Sequence, residues 1–138
     1  MQMKVDICRK DDNLHFEAVN ENGSKVAIDG GEDKKGMRPM ELLLTAMGSC
    51  SAFDAVLILE KQRQKVDDFT VEDVGKRPDE GEPKPYESIH LKFSIKGKVE
   101  EAKAERALNL AVEKYCSVAA TFRPETKITY EFEIIETT

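Results

Sequence analysis

Residues 39–60, PMELLLTAMGSCSAFDAVLILE, are the stretch of the sequence that decides the fold. Pro39 suits the first position of an α-helix, because its ring fixes φ and its missing N–H would have no intrahelical partner there. From Met40 to Leu59 nearly every residue is apolar or small, so this helix is apolar around most of its circumference. We therefore predict a core helix that is buried on several sides.

The length of this apolar run raises the alternative of a membrane span, which needs about 20 apolar residues. Glu41 and Asp54 leave only residues 42–53 free of charge, and acidic residues are costly near the centre of a span. Burial inside a protein is the favoured interpretation, and no membrane partner is predicted.

The few polar positions on this helix are informative. Glu41, Thr45 and Ser49 fall on one edge, and Cys50 borders that edge. Gly48 costs about 1 kcal/mol of helix propensity relative to Ala, which a close approach of another backbone or a ligand would explain. The alternative is that residues 48–52, GSCSA, form a small-residue patch for helix packing, and composition alone favours it because free Cys is often buried.

Length, charge and cysteine content limit the possible functions. We predict a single domain over residues 1–138, large enough to bury a core without disulfides or metals. The net charge of −6 gives no basic stripe, so no nucleic-acid partner is predicted. The start, MQMKVDIC, lacks a signal peptide's apolar run, which predicts a cytoplasmic protein. Three cysteines in that reducing compartment do not indicate a disulfide framework.

Hydrophobic periodicity outside the central helix predicts strands and one more helix. The predicted strands cover residues 3–8, 14–18, 26–28, 69–75, 89–95 and 128–134, and the second helix covers residues 100–122. Asn22-Gly23 predicts a hairpin with a type I′ turn, and residues 29–38 predict a flexible connector that is too polar for the core. The order βββ-α-ββ-α-β indicates an α+β fold with a largely antiparallel sheet.

Common catalytic and ligand-binding motifs are absent from the sequence. It contains no CxxC, no GxSxG and no phosphate-binding glycine loop, and its two histidines, His15 and His90, lie on predicted strands without an orienting pattern. No metal or cofactor is predicted. Cys8 alternates with apolar residues of a strand and is interpreted as incidental. This leaves Cys50 and Cys116, one on each predicted helix, and a disulfide between them would need Cα atoms within about 7 Å.

Two stretches of the sequence carry a resemblance to a known family. MRPMELLLTAMGSCSAFDAV, residues 37–56, contains the motif P-x-E-L-L-L-x-A-x-G-x-C, and EKYCSVAATF, residues 113–122, follows in the second helix. With this order of elements, the chain resembles the OsmC/Ohr family, the osmotically inducible protein C and organic hydroperoxide resistance proteins. Essentially the whole chain is covered, and the likeness is greatest to the less characterised OsmC-like branch.

The resemblance implies an intertwined homodimer, with a long buried central helix wrapped by antiparallel sheets from both subunits. It also implies reduction of organic hydroperoxides, with dithiols of lipoyl type among the reductants. By motif position, Cys50 is the peroxidatic cysteine and Cys116 the resolving one, and Glu41 pairs with an arginine that steadies the thiolate.

Three arginines are candidates for the partner of Glu41. The N-terminal strands, where the family supplies this arginine, contain only Arg9; Arg38 and Arg123 are the alternatives. Arg38 also stands where the family usually has Asn or Ser, and Ser117 stands where the better characterised peroxidases have proline.

The main functional hypothesis is a thiol-dependent peroxidase. In it, apolar residues near the cysteines, Met47, Phe53 and Phe122 with Leu43, bind the substrate and favour organic over hydrogen peroxide. The alternative is a non-enzymatic OsmC-like protein that binds a small apolar or thiol-reactive ligand in the dimer groove. A third interpretation is a purely structural dimer without a pocket between the cysteines.

Overall fold

A computed structural model describes residues 1–137 and confirms the predicted order of elements. The strands are β1 Val5–Arg9, β2 His15–Asn20, β3 Lys25–Asp29, β4 Lys65–Lys76, β5 Ser88–Lys98 and β6 Lys127–Glu136. The helices are α1 Pro39–Lys61, α2 Glu101–Asn109 and α3 Ser117–Thr121, with a π-helical turn at Leu110–Tyr115 between α2 and α3. The predicted second helix is therefore divided into three pieces.

The chain divides into two compact units, and the first covers residues 1–43. In this unit β1, β2 and β3 form an antiparallel sheet in sequence order. The predicted hairpin is confirmed, but its turn is not of type I′. Gly23 has φ of +84° and donates to the Asn20 carbonyl at 3.1 Å, whereas Asn22 is not among the residues with positive φ. A type I turn followed by a left-handed glycine fits this pattern.

One buried side chain, that of Asp29 at the end of β3, organises the connector that follows the strand. Its carboxylate accepts the N–H of Gly31 at 2.8 Å and that of Lys35 at 3.0 Å. These two backbone hydrogen bonds hold the pKa of Asp29 below its ordinary value. The predicted connector, residues 29–38, therefore begins at one buried residue, because a carboxylate that accepts backbone N–H groups can be buried where an unbonded one cannot.

The second unit, from residue 44 onward, contains a sheet in the order β4-β5-β6. The alternation predicted for β5 is confirmed, since its apolar residues Ile89, Leu91, Phe93 and Ile95 are fully buried. β4 and β5 are antiparallel, but β5 and β6 are parallel, which corrects the expected antiparallel arrangement of this sheet. The chain between β5 and β6 contains α2 and α3, and a helical crossover of this kind is what a parallel pair requires.

Helix α1 is buried along one side. Its fully buried stripe contains Met47, Ser51, Ala55 and Leu59, each one helical turn from the next. Other positions are open: Leu43, Leu57 and Phe53 are 42%, 55% and 70% exposed. Burial on several sides is therefore not found within the single chain. By length and composition α1 meets the criteria for a membrane span, but the core helix of a soluble protein passes the same test.

Candidate functional site

The structure brings the two helical cysteines together. Cys50 lies midway along α1 and is partly exposed, whereas Cys116 is 4% exposed and directly precedes α3. Both are free thiols. Cys50 lies close enough to Cys116 to raise the pKa of the Cys116 thiol. The second unit therefore contains a pair of interacting thiols.

A break in the helical chain positions Cys116. After the π-helical turn its backbone leaves the helical region, with φ of −71° and ψ of 105°, and α3 begins at Ser117. The Cys116 sulfur accepts the N–H of Ala119 at 3.3 Å and so acts as the N-cap of α3. Cys is not a usual N-cap residue, so the sequence carries no signal for this break. Departures from α-helical geometry of this π type are frequent at functional sites.

The surroundings of Cys116 oppose its ionisation. Burial raises the pKa of this thiol most, and the neighbouring Cys50 raises it further. The Ala119 N–H and the Ser51 hydroxyl act in the opposite direction, because hydrogen bonds to a thiolate stabilise it. The net effect keeps the proton on Cys116.

Gly48 lies where strand β4 comes close to α1. A Cβ atom on Gly48 would be 3.1 Å from the Asp73 carboxylate and 3.7 Å from the Val71 side chain. The sequence suggested the approach of a backbone or a ligand, but the neighbouring groups are side chains of β4, as the alternative of a packing patch expects. This contact supports a packing role for the glycine.

Asp73 is a functional candidate that the sequence did not reveal. Both of its carboxylate oxygens are buried, with no hydrogen-bond partner of good geometry among the described residues. Burial raises its pKa to about 6, and the nearby Gly48 N–H offsets only part of this effect. In the sequence, Asp73 is an ordinary polar residue in the alternating pattern of β4, so only the tertiary structure shows that it is buried.

Glu41 serves as a helix cap. Its carboxylate accepts the backbone N–H of Arg38 at 2.9 Å, which is one half of a capping box. The Leu42 N–H donates to the Arg38 carbonyl at 3.1 Å, which places Arg38 at the N-cap and Pro39 at the first helical position as predicted. The pairing of Glu41 with an arginine side chain stays a prediction.

The other two candidate arginines contact their own loops. The Arg9 side chain donates to the carbonyls of Asp12 and Asn13 in the turn after β1. Arg123 forms an exposed ion pair with Glu125 at 3.4 Å. Such an exposed pair contributes little to stability, so Arg123 is not fixed by this contact.

The three residues predicted to bind substrate differ in exposure. Met47 is fully buried in the core, Phe53 is 70% exposed and Phe122 is half-buried. A cavity of about 300 Å³ does open beside Cys116, but its lining residues do not include these three. They are Val112, Glu113, Lys114, Cys116, Ala119, Ala120 and Ile128. Sequence reasoning missed this cavity because it is formed where the helical region breaks.

Metal binding has no support in the described residues. Among residues 1–137, no group of three or more His, Cys, Asp or Glu side chains is placed to hold a metal ion.

The fold and the cysteine pair define the class of protein. It is an α+β chain with a long central helix, two sheets and an interacting thiol from each helical region. Residues 31–131 match the family model described as OsmC-like protein. The chain therefore belongs to the OsmC-like family, and the resemblance seen in its sequence is confirmed.

Individual relatives agree with this assignment. Protein YhfA of Escherichia coli K12 is 37% identical over 123 residues, covering 88% of this chain and 91% of YhfA. The crystal structure of a hypothetical protein from Aquifex aeolicus VF5 matches with a TM-score of 0.89 and 36% identity, covering 100% of this chain and 99% of that one. The organic hydroperoxide resistance protein OhrB of Bacillus subtilis matches with a TM-score of 0.68 and 14% identity, covering 96% and 98%, and so shows the shared fold.

Proposed function

We propose that the protein is a thiol-dependent peroxidase that reduces organic hydroperoxides through Cys50 and Cys116. The observation that carries the proposal is the pairing of a partly exposed Cys50 with a buried Cys116 that holds its proton. Membership of a family that includes hydroperoxide resistance proteins supports the same chemistry.

The first step oxidises Cys50. Its thiolate attacks the distal peroxide oxygen, an S–O bond forms and the O–O bond breaks. The sulfur loses two electrons and becomes sulfenic acid, and the alkoxide leaving group takes a proton to give an alcohol. Cys50 suits this role because it is the more accessible of the two thiols.

The second step resolves the sulfenic acid. The Cys116 sulfur attacks Cys50, an S–S bond forms, and hydroxide leaves with the Cys116 proton as water. A dithiol reductant, of lipoyl type by the family resemblance, then reduces the disulfide by thiol–disulfide exchange and is itself oxidised to a disulfide. This cycle needs no cofactor.

Apolar side chains near Cys50 support an organic substrate. Phe53 and Leu57 follow Cys50 on α1 and are largely exposed, so they offer apolar contact area to an alkyl or aryl group. In the proposal Phe53 and Phe122 contact the substrate directly, and the fully buried Met47 shapes the helix face from the core side.

A homodimer is part of the proposal. Leu43, Phe53 and Leu57 leave an apolar stripe of α1 uncovered, and contiguous exposed apolar surface marks interaction sites. Glu41 is nine residues before Cys50, whereas side chains on one helix touch at a spacing of three or four. Glu41 therefore does not contact Cys50 along its own helix. In the proposed dimer, Glu41, with Arg38 or another arginine as its partner, acts on the Cys50 thiolate of a second copy. We place this single-domain dimer in the cytoplasm.

Turnover of hydroperoxide tests the proposed function. The reduced protein should consume cumene hydroperoxide in the presence of a dihydrolipoyl compound, and faster than it consumes hydrogen peroxide. Equal and slow consumption of both peroxides, at the rate of a small free thiol, would contradict the proposal.

A second candidate function is non-enzymatic binding of a small apolar or thiol-reactive ligand. The cavity of about 300 Å³ beside Cys116 favours it, because it is of a size for a small ligand. In this case a thiol-reactive probe would modify the protein stoichiometrically without sustained hydroperoxide turnover.

A further inference from the structure

The cavity of about 300 Å³ gives Cys116 a contact that Cys50 does not share. Cys116 is 4% exposed and lines this cavity, whereas Cys50 is not among the lining residues. The N–H of Ala119 donates to the Cys116 sulfur at 3.3 Å, and Ala119 lines the same cavity. A small molecule in the cavity therefore contacts Cys116 from a side that Cys50 does not occupy.

The lining of the cavity indicates which molecules it can hold. Its apolar lining residues are Val112, Ala119, Ala120 and Ile128. Its two charged lining residues, Glu113 and Lys114, are exposed and opposite in sign, so their charges offset each other. The volume is at the lower end of the range for small-molecule sites. An uncharged aliphatic molecule fits this lining better than a charged peptide thiol, because apolar walls do not replace the hydration of a charge.

Reduction of a disulfide between Cys50 and Cys116 can begin at either sulfur. The attacking thiolate approaches along the line of the S–S bond, on the side opposite the sulfur that leaves, and the leaving sulfur departs as a thiolate. Attack on Cys116 releases Cys50, and attack on Cys50 releases Cys116. Because Cys50 is partly exposed and Cys116 is buried, water stabilises a thiolate at Cys50 better than one at Cys116. Solvation of the leaving group therefore favours attack on Cys116.

We propose that the cavity binds the reductant, a small uncharged aliphatic dithiol, and that this dithiol attacks the sulfur of Cys116. The proposal rests on the two-cysteine peroxidase cycle, because that cycle forms the disulfide. One thiolate of the dithiol forms an S–S bond to Cys116, the bond between Cys116 and Cys50 breaks, and Cys50 leaves with the electron pair as a thiolate.

The second thiol of the reductant completes the reduction. It attacks the sulfur of the reductant that is bonded to Cys116, and Cys116 leaves as a thiolate. The dithiol loses two electrons and becomes a cyclic disulfide, and its two protons pass to the protein thiols or to solvent. Peroxide and reductant thus react at different sulfurs, Cys50 and Cys116.

The first mixed disulfide identifies the sulfur that is attacked. A Cys8→Ser protein is oxidised with diamide, which forms the disulfide without peroxide. It is then mixed with 2-mercaptoethanol, a monothiol that cannot complete the second step, and quenched early with N-ethylmaleimide. Peptide mapping should find 2-mercaptoethanol on Cys116 and maleimide on Cys50. The reverse distribution, or an equal one, would overturn the proposal.

Filling the cavity tests the binding site. Ala120 lines the cavity and is exposed, so Ala120→Leu adds bulk there without changing the core. Reduction of the disulfide by dihydrolipoamide should become about tenfold slower, because a displaced nucleophile reacts more slowly. Thr121→Leu, at an exposed residue of α3 that does not line the cavity, is the matched control and should keep the rate. Equal rates in the two variants would overturn the proposal.

The outcomes also separate this site from the proposed function. Attack on Cys116 in a protein that does not turn over hydroperoxide would overturn only the peroxidase function. Attack on Cys50 in a protein that does turn over hydroperoxide would overturn only the reductant site. Failure of diamide to join Cys50 to Cys116 would overturn both.

Discussion

Cys50 and Cys116 are the same residue type in two different surroundings. Cys50 belongs to an uninterrupted helix of 23 residues and is partly exposed. Cys116 is buried at a break between helical segments, where its sulfur caps a short helix. The comparison shows how backbone geometry can leave one thiol accessible and shield the other, and the proposed division of roles depends on this difference.

The largest expected effect comes from removing the accessible thiol. Cys50→Ser should reduce hydroperoxide turnover by about three orders of magnitude or more, because the hydroxyl that replaces the thiol is a poor nucleophile at neutral pH. Steady-state consumption of cumene hydroperoxide measures this loss. Cys8→Ser is the matched control and should retain activity, since Cys8 is an exposed residue of β1. Full activity of Cys50→Ser would contradict the proposed role of Cys50 as the thiol that attacks the peroxide.

The shielded thiol should matter at a different step. Cys116→Ser should oxidise Cys50 at a nearly normal rate in the first turnover, then accumulate sulfenic acid and lose roughly tenfold or more of its steady-state rate. Single-turnover thiol loss, with trapping of sulfenic acid and mass measurement, distinguishes the two phases. A slow first turnover in this variant would show that Cys116 also takes part in peroxide attack.

The exposed apolar side of α1, which contains Phe53, is the surface that we assign to the dimer. Phe53→Glu should weaken self-association by about tenfold or more, because it places a charge in the apolar stripe that we assign to the dimer. Sedimentation across a dilution series measures the effect, with Glu60→Gln as a control on the exposed end of the same helix. A wild-type protein that is monomeric at every concentration would contradict the proposed dimer.

The stability of the protein should depend on pH through Asp73, a residue of β4 that lies against α1 at Gly48. Its pKa is raised from 3.8 to about 6 by burial, so ionisation opposes folding. Wild-type stability should therefore fall as the pH rises from about 4 to about 6 and then become constant, because the unfolded chain loses this proton first. Asp73→Asn should be more stable above this range by about 1 kcal/mol, allowing for partial solvent screening of the full shift.

Denaturant unfolding at several pH values measures this difference. Glu72→Gln, an exposed neutralisation on the same strand, is the matched control and should show a much smaller effect. A constant difference between wild type and Asp73→Asn at all pH values would show that ionisation of Asp73 is not its cause.

The smallest expected effect concerns the break at Cys116. Cys116 has an extended ψ of 105°, as a residue before proline prefers, and Ser117 is the first residue of α3. Ser117→Pro should therefore be tolerated and stabilise the protein by about 0.5 kcal/mol through the unfolded state. Thermal unfolding of Ser117→Pro, with Ser117→Ala as the control, measures this change in stability. Strong destabilisation by the proline alone would show that the break differs from the one described.

Local patterns predicted the parts of the fold that depend on neighbouring residues. The alternation in β5, the hairpin after β2 and the helix start at Pro39 are all found. The prediction that neighbouring strands are antiparallel was wrong for β5 and β6. The relative direction of two strands depends on the connection between them, which the alternation of apolar residues does not show. The prediction of a type I′ turn was also wrong, because the pair Asn-Gly is compatible with more than one turn type.

The candidate site was predictable only where a motif marks it. Cys50 and Cys116 were identified by the family resemblance, and the structure places them together. The break before α3 has no glycine or proline to signal it, so the predicted helix ran through it. Asp73 was missed because its importance lies in being buried without a partner of good geometry, a property that only tertiary packing reveals.

Mapping the first oxidation product tests the central claim most directly. The fully reduced protein is mixed with less than one equivalent of cumene hydroperoxide, quenched rapidly with an alkylating reagent, and analysed by intact mass and peptide mapping. The account predicts rapid loss of two thiols per oxidised chain and a disulfide between Cys50 and Cys116, with Cys8 alkylated. Slow oxidation spread over all three cysteines, without that disulfide, would contradict it.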